Sequence, residues 1–291
     1  SVDQSTGFLT VQQEQQIDHV NGLNDTTSDA ATNADLMTLA IDLVEFSLTV
    51  TDDYGTGSTT SVTSTVDLGG NVQFADDGPT ITADAVVADV ITLTTNDAAA
   101  VSGGSSASAS FATAFETAAN TDAIYGADAE SAAPTGVVPS VTVSDYTFTL
   151  SQADLDSGLT SAGKTIDLNI NADGDVITGS TSDGTVFTLT VATDATASTL
   201  GVTEGTVILD QSRQIDHLPQ TTPNTVQSIG LNLAANLLTL QATATVTDGD
   251  KDVATADYSV DLGSGNILFE DDLPTITADA VVADVITLTT N

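Results

Sequence analysis

Cysteine and tryptophan are absent from the 291 residues, and only Lys164, Arg213 and Lys251 are basic. Without cysteine the chain has no disulfides, no thiolate metal ligands and no cysteine nucleophile. With 41 acidic residues the formal charge is −38. This charge excludes nucleic acid as a partner, because phosphate contacts need Lys and Arg, and it disfavours anionic membrane surfaces. No apolar run is long enough to cross a membrane, so direct insertion is not expected.

The acidic residues are mostly aspartate, since only six are glutamate. Aspartate favours turns and is a common calcium ligand in loops. So few cations leave the carboxylates without internal partners, and solvent, salt or bound divalent cations must then relieve their repulsion. Because Val, Ile, Leu and Phe lie in alternating runs, the chain is expected to fold rather than to stay disordered. We therefore expect calcium as the cofactor.

One long phrase occurs twice, at Phe74–Asn96 and at Phe269–Asn291, and the two copies are identical from Pro79 to Asn96. The offset of 195 residues persists upstream with small slips, since Gln16-Ile17-Asp18-His19 returns as Gln214-Ile215-Asp216-His217. Repetition with a fixed period is the signature of a tandem array, which suits a spacer or a multivalent surface better than a single enzyme.

The repeat predicts the domain organisation. Residues 1–74 are the C-terminal part of a preceding repeat, and residues 75–269 are one complete repeat. Within the latter, residues 75–127 are a variable N-terminal part and residues 128–269 a β-sandwich core. Residues 270–291 begin the next repeat. The period fixes the length of a repeat but not the residue at which each structural domain begins.

Strict alternation of apolar and polar residues marks strands at Leu240–Val246 and Ala254–Leu262. Because each strand has one polar, solvent-exposed face, the pattern predicts an all-β, antiparallel sandwich of immunoglobulin-like or related type. A helix is predicted only at Phe111–Ala119, and residues 97–110 read as a mobile segment or a weak edge strand. Further strands are predicted at Phe46–Val50, Thr60–Leu68, Val141–Leu150, Thr165–Asn171, Asp175–Gly179, Thr185–Val191 and Gly205–Leu209.

A hairpin loop between the two best-patterned strands carries Asp248, Asp250 and Asp252 at alternate positions. Alternation lets several carboxylate oxygens converge on one hard cation, and three like charges this close repel one another without one. We therefore predict calcium here, with a solvated turn as the alternative. The earlier copy has Asp52 and Asp53 adjacent, in a loop that the sequence alignment makes two residues longer, so calcium is expected to bind there weakly or not at all.

Paired carboxylates also mark the junctions between repeats. Asp76-Asp77 and Asp271-Asp272 each follow a strand that ends in Phe and precede a proline by one residue. Proline stiffens the next segment and prevents the strand from continuing. These doublets are predicted to bind calcium between domains, and a charged linker that only keeps domains soluble is the alternative.

The two histidines, His19 and His217, occupy equivalent positions in successive repeats. A shared zinc site or a catalytic dyad would need them together, so each is interpreted as a hydrogen-bonded structural residue. The chain has no nucleophile elbow, phosphate loop or His-Glu-x-x-His motif. Carboxylate pairs leave a glycosidase open by count alone, but Trp is absent and Tyr is scarce. No catalysis is expected.

Three motifs together resemble the repeat domains of giant type I-secreted RTX adhesins. They are the Phe-x-Asp-Asp-x-Pro junction, the Asp248–Asp252 loop within Thr-Val-Thr-Asp-Gly-Asp-x-Asp, and the segment Val207–His217. The resemblance implies a secreted bacterial cell-surface protein that acts in adhesion and biofilm formation. Its tandem β-sandwich domains would be stiffened by calcium and hold a distal binding region away from the cell. The glycine-rich RTX nonapeptides are absent, so the secretion route rests on the resemblance alone.

The expected function is therefore that of a structural extender repeat, monomeric, whose partners are the neighbouring repeats of the same chain. The alternative is a calcium-dependent module that binds carbohydrate or protein through its Asp loops. An open, carboxylate-lined cation site at the tip of a domain would favour the alternative, whereas a site closed between domains would favour the extender. A hydrolase would instead require a pocket that holds an acid with a perturbed pKa.

Overall fold

A computed structural model describes residues 1–3, 5–14, 17, 37–53, 55, 59–75, 78–88, 90–126, 138–151, 155–217, 231–249 and 251–271. The chain divides into two compact units. Unit 1 comprises residues 1–87, 112–145 and 241–259, and unit 2 comprises residues 88–111, 146–240 and 260–291.

Among the described residues the structure has sixteen strands and three short α-helices. The strands are β1 Met37–Thr38, β2 Glu45–Asp53, β3 Thr59–Asp67, β4 Gln73–Phe74, β5 Leu93–Asn96, β6 Ser105–Ser110, β7 Ser140–Leu150, β8 Leu155–Ser161, β9 Lys164–Ile170, β10 Val176–Thr181, β11 Gly184–Val191, β12 Thr206–Gln211, β13 Leu231–Asn232, β14 Leu238–Thr247, β15 Val253–Asp261 and β16 Ile267–Glu270. The helices are α1 Asp97–Ser102, α2 Ala112–Asp122 and α3 Ala197–Leu200.

The largest sheet has six strands in the order β6-β12-β11-β10-β9-β8, and neighbouring strands are antiparallel throughout. Alternation gives it a buried face, on which Ile166, Leu168 and Ile177 are fully buried. Gly179 is required there, because a Cβ at this position would lie 2.5 Å from the Phe187 ring. This sheet supplies a large part of the core of unit 2.

A second sheet in unit 2 has the order β13-β16-β5. Strand β16 pairs antiparallel with β13 and parallel with β5, in the register Ile267↔Leu93 to Glu270↔Asn96. The Leu93 side chain is fully buried, and the Leu93 N–H donates to the Asn266 carbonyl over 2.7 Å. The Asn266 side chain donates from Nδ2 to the carbonyls of Ala88 and Ile91 at 2.8 and 2.7 Å. Strand β16, near the end of the repeated unit, is thus paired with β5, which lies near its start.

In unit 1 the earlier copy forms a hairpin, β2–β3, and a two-stranded pair, β1–β4. Helix α2 buries Phe115 and Ala119. The Asp122 carboxylate accepts from the Tyr258 hydroxyl at 2.8 Å and from the Asp84 N–H at 3.2 Å. Burial, and then the hydrogen bond to this carboxylate, raise the pKa of Tyr258.

The repeat detected in the sequence is also visible in backbone contacts. Asp67 accepts from the N–H groups of Gly69 at 2.8 Å and Asp42 at 3.0 Å. Asp261, 194 residues later, accepts from the N–H groups of Gly263 at 2.9 Å and Asn236 at 2.8 Å. The two strand pairs also correspond, since Met37 pairs with Phe74 as Leu231 pairs with Phe269.

The all-β, sandwich-like fold with antiparallel sheets is confirmed, and the parallel pairing of β16 with β5 is an addition to it. The prediction of a single helix was incomplete. Helix α2 overlaps the predicted segment, but α1 and α3 were missed because each spans less than two turns and lacks helical periodicity. Within residues 97–110, Asp97–Ser102 is helical and Ser105–Ser110 forms the edge strand β6.

Candidate functional site

The Asp248–Asp252 loop connects β14 to β15 in unit 1. Asp248 is fully buried. Its Oδ1 accepts from the N–H groups of Lys251 at 3.0 Å and Asp252 at 2.8 Å, and its own N–H donates to the Asp252 carbonyl over 3.1 Å. These bonds close the loop and place Asp252 beside Asp248. Asp250 lies outside the described residues.

The structure brings this loop to the first repeat junction, which sequence reasoning treated as a separate site. A Cβ built on Gly78 would lie 3.6 Å from Asp252 Oδ2, and both residues belong to unit 1. Gly78 directly follows Asp76-Asp77, which lie outside the described residues, as does Asp272. A junction residue and a loop carboxylate that are 174 positions apart in sequence are therefore neighbours in space.

The corresponding loop of the earlier copy differs from the expectation. Strand β2 runs through Asp52 and Asp53, which pair with Thr60 and Thr59 of β3. Residues 54–58 then connect β2 to β3, just as residues 248–252 connect β14 to β15, so both loops have five residues. The prediction of a longer loop was wrong. The sequence alignment matched Asp52 with Asp248, but Asp52 lies in strand β2, whereas Asp248 lies in the loop after β14. The loop at 54–58 contains no carboxylate.

A cluster that the sequence did not predict forms in unit 2 from Asp97, His217 and Asp271. One potential ligand atom from each residue lies within 4.8 Å of the others. Asp97 is the first residue of α1, where the side chain of Asn96 caps the helix by accepting from the Ala98 N–H. Asp271 is the one junction aspartate among the described residues.

Hydrogen bonds define the role of each member of this cluster. Asp97 Oδ1 accepts from Gln211 Nε2 at 2.6 Å and from the Ile215 N–H at 3.1 Å. Its Oδ2 lies 3.4 Å from His217 Nδ1. Burial raises the pKa of Asp97, and the charge of Asp271 adds to this effect, whereas the hydrogen bonds and the charge of His217 oppose it.

His217 is a poor metal ligand in this geometry. Its Nδ1 lies 2.9 Å from the Ile215 carbonyl oxygen, and its Nε2 lies 2.9 Å from the Phe269 carbonyl oxygen. A carbonyl oxygen only accepts, so both contacts are hydrogen bonds only when the ring is protonated, and neither nitrogen then has a lone pair for a metal. The cluster therefore fits a histidine that ties Phe269 at the end of β16 to the Ile215 segment.

His217 is hydrogen-bonded as predicted, its purely structural role stays a prediction, and His19 lies outside the described residues. The neighbouring Asp216 is also structural. It accepts from the N–H groups of Ala162 at 2.9 Å and Gly163 at 2.7 Å in the turn between β8 and β9. Sequence reasoning missed Asp97 and Gln211, although the segment Asn96-Asp97-Ala98 carries the signal of a capped helix start.

No described helix has the length and apolar character that a membrane span requires. Neither the curated proteins nor the solved structures contain a match to this chain. One family model matches residues 85–263, more than half of the chain, and its description is "Domain of unknown function (DUF5801)". The chain belongs to this family, DUF5801.

Proposed function

We propose that this chain is a structural extender repeat of a large, secreted bacterial cell-surface adhesin. In this proposal calcium stiffens tandem β-sandwich domains, which project a distal binding region from the cell. The repeated segments, the charge of −38 and the all-β fold support a role that is additive along a chain. Neighbouring repeats are then the main partners, and no reaction is catalysed.

The observation that carries the calcium proposal is the proximity of Asp252 to Gly78. Asp252 lies beside Gly78, and Gly78 directly follows the Asp76-Asp77 doublet in the sequence. Oxygen ligands from a loop and a junction fit the six to eight positions around calcium better than one loop does. A buried carboxylate such as Asp248 also costs free energy unless hydrogen bonds or a cation compensate it.

Calcium held by both segments would bind the start of a repeat to its last hairpin. Binding to the folded state alone stabilises it by about 2.7 kcal/mol when calcium is at a hundred times the Kd. Several such sites along an array approach the stability of a domain, about 5–15 kcal/mol. The stiffness of the array would then depend on extracellular calcium.

Calorimetric titration with calcium tests the proposal on the full chain. We expect Asp250→Ala to reduce the number of bound calcium ions and to lower the melting temperature in calcium. Without any cation the same change should slightly raise the melting temperature, since it relieves repulsion. Asp77→Ala is expected to act on the same site, because Asp77 directly precedes Gly78, which lies beside Asp252.

Two variants with the same change in charge serve as controls. Asp53→Ala alters β2 of the earlier copy, and Asp257→Ala alters an exposed position of β15 that accepts from Thr243 Oγ1 at 2.9 Å. Both should keep the calcium stoichiometry of the unmodified chain. Equal stoichiometry in the unmodified chain and in Asp250→Ala would show that the loop is a solvated turn and would overturn the site.

A further inference from the structure

Within unit 1, the segment that follows the first repeat junction and strand β15 keep a constant offset. At one end Gly78 lies beside Asp252, since a Cβ on Gly78 would lie 3.6 Å from Asp252 Oδ2. At the other end Asp84 and Tyr258 share one hydrogen-bond partner, the carboxylate of Asp122. Each of the two pairs is 174 positions apart in the sequence. The two segments therefore advance in the same direction over the same length.

Asp122, the last residue of α2, joins the two segments. Its Oδ2 accepts from the Tyr258 hydroxyl at 2.8 Å and from the Asp84 N–H at 3.2 Å. Tyr258 is 1% exposed, so its bond to the carboxylate is shielded from water and is stronger for that reason. One oxygen atom thus fixes a side chain of β15 and a backbone group of the junction segment at the same point.

The backbone that follows α2 holds the junction segment closer to Gly78. The Thr80 N–H donates to the Ile124 carbonyl over 2.8 Å, and the Ile124 N–H donates to the Thr80 carbonyl over 2.9 Å. Thr80 lies two residues after Gly78, and Pro79 between them has a fixed φ. The position of Thr80 therefore restricts that of Gly78. Asp122 and Ile124 together are termed the α2 bracket.

Asp122 is too far from the Asp248–Asp252 loop to be a calcium ligand. Tyr258 lies six residues beyond Asp252 along an extended strand, which corresponds to about 20 Å at about 3.3 Å per residue. Calcium–oxygen distances are only about 2.3–2.6 Å. Charges this far apart are also largely screened at physiological salt, where the Debye length is about 8 Å. An effect of Asp122 on calcium is therefore one of position rather than of charge.

We propose that Asp122 is a positioning residue for the calcium site of the Asp248–Asp252 loop, an inference that rests on the proposed function. Through the α2 bracket it keeps Gly78 beside Asp252 before the cation binds. Without Asp122, calcium must itself order the junction segment, and the conformational entropy lost in ordering it weakens binding. A site that is ordered in advance avoids this loss and binds more tightly.

The coupling between the α2 bracket and the calcium site is reciprocal. If an ordered junction segment strengthens calcium binding, calcium must stabilise the ordered segment by the same factor. The amides of Thr80 and Asp84 donate to Ile124 and Asp122, so both should exchange with solvent more slowly in calcium than in chelator. Amide hydrogen exchange of the unmodified chain measures this difference.

Calcium titration of the full chain tests the positioning role, at a temperature at which every variant is folded. The Kd to follow is that of the ion lost in Asp250→Ala. Asp122→Ala removes two hydrogen bonds and should raise this Kd about fivefold or more, and Tyr258→Phe removes one and should raise it about two- to tenfold. Circular dichroism in chelator verifies the fold. Tyr258→Phe keeps the buried ring, so it tests the proposal even where Asp122→Ala fails to fold.

Two further variants separate position from charge. Asp122→Asn removes the charge, but its amide oxygen can accept from both donors, so it should keep the Kd within about twofold of the unmodified chain. Asp84→Ala removes an exposed carboxylate from the junction segment. It keeps the N–H that Asp122 binds, so it should also leave the Kd unchanged.

Three results would overturn the proposal in a chain that has the calcium site. They are an unchanged Kd in Asp122→Ala or Tyr258→Phe, a Kd in Asp122→Asn as weak as that in Asp122→Ala, and equal exchange of the Thr80 and Asp84 amides in calcium and in chelator. The second result would assign the effect to charge. Failure of the proposed function has a different signature, because the unmodified chain and Asp250→Ala then bind equal numbers of calcium ions. The positioning role is lost with the site in that case.

Discussion

The hairpins β2–β3 and β14–β15 are two copies of one sequence element, and they differ in how deeply their apolar side chains are buried. Each has an equivalent cross-strand polar pair, Thr49 with Thr63 at 2.8 Å and Thr243 with Asp257 at 2.9 Å. Each has a loop of five residues and ends at an aspartate that accepts from two N–H groups. Their burial differs, since Leu48 and Val50 are more than half exposed while the apolar face of β14 is buried.

This difference separates local from global causes. Cross-strand pairs and aspartate turns depend on residues that are near in sequence, and both copies form them. Burial depends on packing between distant parts of the chain, and among the described residues only the second copy has it. An aspartate-rich loop is likewise confined to the second copy. Four measurements test whether the two hairpins differ in this way.

The largest difference is expected from matched leucine truncations. Leu240→Ala in β14 removes a fully buried side chain and should lower the free energy of unfolding by about 2–5 kcal/mol. Leu48→Ala in β2 removes a side chain that is 56% exposed and should change it by less than about 0.5 kcal/mol. Chemical denaturation measures both. Equal losses would mean that the first hairpin is as buried as the second.

Removal of calcium should act on one copy only. Chelation is expected to cost the second hairpin about 2.7 kcal/mol of stability for a site held at a hundred times its Kd. Amide hydrogen exchange should then accelerate in β14 and β15 and stay unchanged in β2 and β3, because the loop at 54–58 has no carboxylate. Acceleration in both hairpins would place a calcium site in the first copy as well.

The glycines after the two aspartate turns test whether the turns are equally tight. A Cβ on Gly263 would overlap the carbonyl oxygen of Ala234, and a Cβ on Gly69 that of Ala40. Gly263→Ala should cost about 1–3 kcal/mol of global stability. Gly69→Ala should disturb only the amide signals around Asp42 and Asp67.

Gly70→Ala is the control for these glycines, since a Cβ there meets no atom within 4 Å. Nuclear magnetic resonance spectra of the three variants distinguish local from global effects. A Gly70→Ala spectrum as disturbed as that of Gly69→Ala would contradict the tight turn in the first copy.

The smallest effect is a pH dependence of the first turn. Hydrogen bonds from the N–H groups of Gly69 and Asp42 lower the pKa of Asp67 below its ordinary value of 3.8. The charged carboxylate therefore stabilises the turn above the unfolded pKa, and this contribution is lost as the pH falls through the lower, folded pKa. The chemical shifts of the Gly69 and Asp42 amides should follow this titration. In Asp67→Asn both shifts should stay constant over the same range.

Much of the fold is predictable from the sequence, because alternation reports the face of a strand directly. Strand β14 covers the predicted Leu240–Val246, and β15 covers all of Ala254–Leu262 except its last residue. Strand β8 was missed because Ser157 and Gly158 interrupt its apolar pattern. The length of the first loop was also misjudged, since Asp52 and Asp53 have low strand propensity yet lie in β2.

The candidate site was predictable only in part. Spacing singled out the Asp248–Asp252 loop and the Asp76-Asp77 doublet as candidates, but it did not predict that Asp252 lies beside Gly78, the residue after the doublet. Sequence patterns also gave no partner for His217, because Asp97 lies 120 positions away. Spacing predicts which groups share a loop, whereas contacts across the chain depend on how the strands are ordered in their sheets.

By itself, therefore, the sequence determined the all-β class, the repeat and the aspartate turns, since these depend on periodicity and on residues close together in the chain. Tertiary structure is needed to explain three contacts: the parallel pairing of β16 with β5, the contact between Gly78 and Asp252, and the cluster of Asp97, His217 and Asp271. Apart from His217 and Asp271, which are 54 positions apart, these contacts join residues more than a hundred positions apart. Strand order and burial select them from many that local chemistry would equally allow.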